Sequence, residues 1–175
     1  MVPRSIARHS PVLAGAVAAV IVVSSAVPAL AQAAAQAASK PFDMMSGAWS
    51  GTGTITLGSG DKERIRCRAV YVVDDGGNRV EQDLRCASDS YKFEMVNEIS
   101  HANGYVTGRW DEKTRRTGGT ISGRATPGRI EAMAETGGFA ALFTLTTRGD
   151  QQSVKIESKS PDISDVTIML RRTSR

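Results

Sequence analysis

Two cysteines, one histidine outside the N-terminal leader and a row of alternating arginines are the residues of this sequence best placed to do chemistry. Cys67 and Cys86 flank Asp75-Gly76-Gly77-Asn78, between alternating segments at 64–74 and 79–87. Glycine tolerates positive φ at no steric cost, so Gly-Gly between alternating runs predicts a tight hairpin turn. Centring that turn on Gly76 and Gly77 makes paired positions sum to 153. Val73 then faces Val80, Tyr71 faces Gln82, Ala69 faces Leu84, and Cys67 faces Cys86. Opposed residues on antiparallel strands lie roughly 4.5–5.5 Å apart between Cα atoms, within reach of a disulfide. A redox-active pair would instead want the close spacing that lowers a thiol pKa. The expected pairing is therefore structural, and by the chain-entropy model closing its loop contributes about 3 kcal/mol.

The remaining candidates point away from catalysis. His101 stands in a polar turn with Ser100, Asn103 and Gly104, has no second histidine to share a metal or a proton relay, and is expected to be solvated. Ser90 and Ser122 lack the strand-to-helix elbow that activates a nucleophilic serine. Arg64, Arg66 and Arg68 share one strand face. Glu81 and Asp83 occupy the same face of the next strand, so ion pairing is expected, with Arg68 reaching Asp83 diagonally. Arg115-Arg116 follows Asp111-Glu112 in a turn and reads the same way. Aromatics make up 5% of the chain and are not interleaved with the arginines, so stacking on nucleic acid has no support. Gly51-Thr52-Gly53 lies inside a strand rather than before a helix, where a phosphate loop would need it. No catalytic, metal-binding or cofactor-binding residues are assigned, and the protein is expected not to be an enzyme.

The elements that position these residues have a period of two from Gly47 onward. Trp49, Gly51, Gly53, Ile55 and Leu57 alternate with Ser50, Thr52, Thr54 and Thr56, giving a strand with one dry face and one wet face. The same alternation returns around Tyr71, Phe93, Trp110, Ile121, Ile130, Phe143, Val154 and Ile168, with Gly-, Pro-, Asn- and Asp-containing turns between. Eight to ten short strands with no helical period predict an all-β antiparallel fold. Small residues recur on the inward positions (Gly51, Gly53, Gly108, Gly123, Ala132, Ala141). Glycine weakens a strand, and closing a sharply curved sheet is a reason to tolerate it. An up-and-down β-barrel is therefore expected over 47–175, with a short helical turn around Phe42, Met44 and Met45 capping one end. Tyr71, Phe93, Trp110 and Phe143 are the candidate cavity-lining residues, although the interior is expected to be largely filled.

The N-terminus reads as an export signal. Arg4 and Arg8 precede an apolar run from Pro11 to Val23, and Ala29-Leu30-Ala31 fits a cleavage site after Ala31. The run is short of the roughly 20 apolar residues a spanning helix needs. Residues 32–46 form an alanine- and glutamine-rich leader followed by the helical turn. Without Arg4 and Arg8 the 22 basic residues become 20 against 18 acidic ones, so the mature chain is near neutral. A nucleic-acid partner is not indicated, and a periplasmic or secreted location suits one disulfide.

Gly47-Ala48-Trp49 at the first strand and Arg171-Arg172 at the last give the chain a resemblance to the lipocalin and calycin group. In that group a Gly-x-Trp tryptophan packs beneath a late arginine at the closed end of the barrel. The resemblance implies that Trp49 and Arg172 form the closing pair. The barrel pattern and the missing acid-base or metal constellation point to a non-catalytic role, either binding a small apolar or amphipathic ligand or serving as an envelope interaction module. The mature sequence is also similar to exported proteins of alphaproteobacteria, which adds a compartment but no activity. A second resemblance, in plan, is to small periplasmic inhibitors of secreted metalloproteases. Those proteins insert an N-terminal segment into the protease cleft, a role that would fall here to residues 32–40.

Overall fold

The computed structural model describes residues 40–174 of the chain. The export signal expected over 1–31 and the leader expected from residue 32, up to residue 39, lie outside the described residues. Ten strands run in chain order: β1 (Gly47–Leu57), β2 (Lys62–Asp74), β3 (Arg79–Ala87), β4 (Lys92–Ala102), β5 (Tyr105–Glu112), β6 (Thr117–Thr126), β7 (Arg129–Thr136), β8 (Phe139–Arg148), β9 (Gln151–Ser158) and β10 (Ile163–Ser174). Each pairs antiparallel with its sequence neighbours, and β1 pairs with β10 to close an up-and-down barrel. Closure leaves no sheet edge unpaired.

The β2–β3 register is the one in which paired numbers sum to 153, with Tyr71 opposite Gln82 and Cys67 opposite Cys86. The turn between them is longer than Gly-Gly. Asp74 pairs with Arg79, and residues 75–78 form a loop that includes a 3-10 turn at Asp75–Gly77. Asp75, Gly76 and Gly77 all have positive φ there, which two glycines and an aspartate accommodate with little strain. The turn is lengthened symmetrically, so the register is unchanged.

The inward positions carry the core. Trp49, Ile55, Ile65, Ala69, Val80, Val106, Ile130, Ile168 and Leu170 are all almost fully buried. At Gly51 the small residue has a local reason, because a Cβ there would lie 1.9 Å from the Met169 carbonyl oxygen of β10. The expected helical turn is a pair of overlapping tight turns. Asp43 N–H donates to Lys40 O at 3.5 Å and Met45 N–H to Phe42 O at 2.8 Å. Its residues Phe42 and Met45 are buried and plug one end of the barrel. The turn is tied across that end by bonds from Phe42 N–H to Gly77 O and from Gly128 N–H to Pro41 O.

Candidate functional site

The plugged end is locked by Trp49 and Arg172, which are cross-strand partners on β1 and β10. The Arg172 guanidinium lies 4.2 Å from the Trp49 ring centroid and donates to the carbonyls of Met44 and Ser46. Trp49 Nε1 donates to Met45 O at 2.8 Å. The residues at the two ends of the barrel sequence thus hold the plug between them.

Above the plug lies a cavity of about 320 Å³, opening at the opposite end of the barrel. Tyr71, Phe93, Trp110 and Phe143 all line it, together with aliphatic residues such as Leu84, Ile99 and Val154. The volume exceeds the small void expected from the sequence. An eight-stranded barrel is just wide enough for side chains to fill, and ten strands make the cross-section wider. Several inward residues of the lining are of modest size, Ala134, Ala141 and Val166 among them, so the extra width stays open. The volume falls at the lower end of the ~300–1,000 Å³ typical of small-molecule sites.

The mouth is ordered by charge and aromatic contacts. Glu112 is buried, and its carboxylate accepts backbone N–H bonds from Glu94 (2.9 Å), Thr114 (3.0 Å) and Arg115 (2.6 Å). Burial pushes its pKa up, but these bonds outweigh that and the net shift is downward. The Arg115 guanidinium pairs with Glu112 and lies over the Tyr91 ring, 4.4 Å from its centroid. Glu112, Arg115 and Tyr91 all contribute to the cavity lining.

The floor is polar, and of its residues only Tyr71 is among the candidates read from the sequence. Asn97 Nδ2 donates to Gln82 Oε1, Gln82 Nε2 to Tyr71 Oη (2.8 Å), Tyr71 Oη to Gln152 Oε1 (2.7 Å), and Gln152 Nε2 to Thr147 Oγ1 (3.1 Å). Tyr71, Gln82 and Asn97 are adjacent on β2, β3 and β4, so one row across three strands supplies half the chain. Tyr71 is buried and stacks edge-on against Trp49. Burial raises its pKa well beyond the ordinary tyrosine value, so the phenol stays protonated and donates.

Cys67 and Cys86 are disulfide-bonded with Cα atoms 4.2 Å apart, both side chains buried. His101 departs from expectation, being 8% exposed rather than solvated. Its Nε2 accepts from Gly104 N–H (3.1 Å) and its Nδ1 faces Asn78 Oδ1 (3.0 Å). The arginine row departs as well. Arg68 lies directly opposite Arg85, and Asp83 is bound by Arg85 of its own strand (3.1 Å). Glu81 pairs with Arg79. No ion pair to Arg64, Arg66 or Arg68 forms among the described residues. No group of three or more potential metal ligands occurs among the described residues either, and no helix there is long and apolar enough to cross a membrane.

Fold and site together define a lipocalin-like barrel, closed at one end and carrying an apolar cavity open at the other. Among solved structures it is similar to Rv2717c from M. tuberculosis, with a TM-score of 0.57 and 13% identity over 75% of this chain and 94% of that one. It is also similar to the S-type phycobiliprotein lyase CPES from Guillardia theta, with a TM-score of 0.51 and 10% identity over 77% of this chain and 91% of that one. At such identities the likeness is one of fold. No protein-family model matches the sequence, and none of the curated proteins does.

Proposed function

We propose that the protein is an exported, non-catalytic binding protein that holds a small, largely apolar ligand in its barrel. The observation that carries this reading is the cavity of about 320 Å³, lined mainly by aromatic and aliphatic side chains and reached from one end only. A lined, single-mouthed cavity removes apolar surface from water on every side of a bound molecule, with a gain near 25 cal/mol per Å² buried. Export accords with the disulfide, since such bonds persist in oxidising compartments. A non-catalytic role accords with the polar groups of the cavity, which bond chiefly to one another or to backbone amides and offer no paired acid and base.

The test is fluorescence titration with the apolar dye N-phenyl-1-naphthylamine, with Trp110 in the cavity wall as an energy-transfer donor. Saturable enhancement at one site per chain is expected, accompanied by a rise in melting temperature. Ala141→Phe, which places a ring in the cavity, is expected to abolish binding while leaving the barrel folded. Absence of saturable binding, or binding untouched by a folded Ala141→Phe variant, would overturn the reading.

A further inference from the structure

We infer that the outer face of the barrel around β2 is a docking surface for an anionic lipid bilayer. Arg64, Arg66 and Arg68 point outward from β2 and are exposed, about 7 Å apart along the strand at two residues of rise each. None of the three has an ion pair or a side-chain hydrogen bond among the described residues. Arg68 directly opposes Arg85 of β3, and like charges so placed cost the fold stability. Lys62 and Lys92 extend the set. Two carboxylates stand among these cations, and each is already held by one of them: Asp83 by Arg85 at 3.1 Å and Glu94 by Lys92 at 2.7 Å. Lys62, Arg64, Arg66 and Arg68 are left without a counterion, although the mature chain as a whole is near neutral.

The register sets hydroxyls beside the arginines. Thr54, Thr52 and Ser50 of β1 are the cross-strand partners of Arg64, Arg66 and Arg68. A shallow, open depression on this face is lined by Ser50, Thr52, Arg66, Arg68, Arg85 and Lys92, and by Glu94, which Lys92 neutralises. The Cys67–Cys86 disulfide lies behind it on the inner side of the same two strands and fixes the register that gathers Arg66, Arg68 and Arg85. Guanidinium groups match phosphate oxygens with paired N–H donors, and hydroxyls donate to the oxygens that remain. The chemistry this arrangement recognises is that of a phosphodiester anion.

Exposed aliphatic side chains select the source of that anion. Six large hydrophobic side chains are exposed among the described residues, and four of them belong to this face: Val70 and Val72 of β2, Val96 of β4 and Met169 of β10. Val70 follows Arg68 along β2, Val96 stands across Asp83 from Val70, and Met169 stands across Thr52 from Arg66. Glu81 and Glu98 border Val72 and share Arg79. The exposed aromatic residue, Tyr105, is on β5, so this face lacks the aromatic anchor that protein interfaces favour. A soluble phosphate or polyanion would satisfy the arginines and leave the aliphatic side chains in water. A bilayer surface takes both, with guanidinium groups among the headgroups and apolar side chains at the acyl boundary. The apolar stems of the arginines can lie beside those side chains while their charge stays at headgroup level.

The test is co-sedimentation of the full mature chain with two kinds of vesicle, phosphatidylcholine alone and equal parts phosphatidylcholine and phosphatidylglycerol. An arginine near an anionic surface contributes about a fivefold gain in binding, so three should favour the mixed vesicles by about a hundredfold. Binding should weaken as salt is raised, because exposed charges are screened. Arg64→Gln/Arg66→Gln/Arg68→Gln is expected to reduce mixed-vesicle binding to the neutral-vesicle level, with a melting temperature no lower than that of the wild type, since repulsion is relieved. Val70→Ser/Met169→Ser should weaken mixed-vesicle binding several-fold. Equal partition onto the two kinds of vesicle, binding that salt leaves untouched, or a folded triple variant that binds as the wild type does would each overturn the inference. Mixed-vesicle binding unchanged in a folded Val70→Ser/Met169→Ser variant would make the face a site for soluble polyanions and overturn the bilayer as its partner. The wild-type comparison and its salt dependence require no variant, so a misfolded substitution does not block the test. None of these outcomes depends on the cavity holding a ligand, so this inference and the ligand-binding reading fail separately.

Discussion

His101 shows how a residue that looks chemically available can be spent on architecture. Gly104 N–H donates to its Nε2, so the ring proton is on Nδ1 and donates to Asn78, joining the β2–β3 and β4–β5 turns. Burial lowers its pKa below the usual 6.5. A histidine whose folded pKa lies below its unfolded value binds protons more readily when unfolded. Its contribution is therefore complete above pH 6.5 and is lost as pH falls from there toward the folded pKa. We expect the melting temperature of the wild-type protein to drop over that interval more steeply than that of His101→Asn. Parallel pH profiles for the two would show that the ring is not the titrating group. Glu112 makes a second residue-scale case. Its carboxylate gathers three N–H groups of the mouth, and Glu112→Ala would leave them without it. A stability loss of about 1–3 kcal/mol is expected in urea denaturation, the usual cost of orphaned buried groups. Faster amide exchange at Thr114 and Arg115 should accompany it, and unchanged protection there would contradict the assignment.

At the scale of elements, β2 and β3 were the most readable part of the chain, because three kinds of information agreed there. Alternation set the faces, the glycine pair set the register, and two cysteines fell opposite one another. The register survives although the real turn is four residues long, since lengthening a loop equally on both sides moves no pair. The disulfide that results spans 19 residues of separation. Reduction, or Cys67→Ser, is expected to lower stability by roughly 2–4 kcal/mol, measured as a shifted urea midpoint; coincident curves for oxidised and reduced protein would refute it. The polar floor was less readable for a reason particular to alternation. Asn97 continues the inward series of Tyr91, Phe93 and Met95, Gln152 precedes Val154 and Ile156, and Thr147 follows Phe143 and Leu145. Extended by one step, the pattern places each of them inside. For Gln152 and Thr147, near strand ends, a polar residue beside an apolar run reads equally well as the strand's exit into solvent. Asn97 lies within its inward series, before the buried Ile99, and what alternation leaves out there is its bonding to Gln82. The arginines of β2 failed in the opposite way. Their face was legible, but the choice of partner among Asp83's neighbours depends on side-chain reach, and the same-strand Arg85 takes it.

The whole molecule depends on joining its first strand to its last, the most distant pairing the chain can make. The β1–β10 ladder carries two register irregularities, one of them between Ala48 and Trp49 where the plug begins. Loop-closure entropy makes such a contact late and costly to form, so the interactions that hold it matter beyond their number. Arg172 concentrates them: its guanidinium covers the Trp49 ring and binds two carbonyls of the 41–46 segment. Planarity is what permits this, since one fork stacks and donates at the same time, whereas an ammonium is a point charge on a flexible stem. Arg172→Lys should therefore recover little of what Arg172→Ala loses. For the alanine variant the loss is expected to be about 1–2 kcal/mol, below the full value of charged hydrogen bonds because the site is partly exposed. The change should also reach the ligand site, because Trp49 supports Tyr71 and Tyr71 carries the middle of the polar floor. The measurement is a pair of curves for each variant, urea denaturation followed by tryptophan fluorescence and titration with N-phenyl-1-naphthylamine. A lysine variant as stable as wild type would show that charge alone closes the barrel. Weakened stability with unaltered dye binding would show that the closing pair and the floor are independent, and that the plug does not act on the cavity through Tyr71.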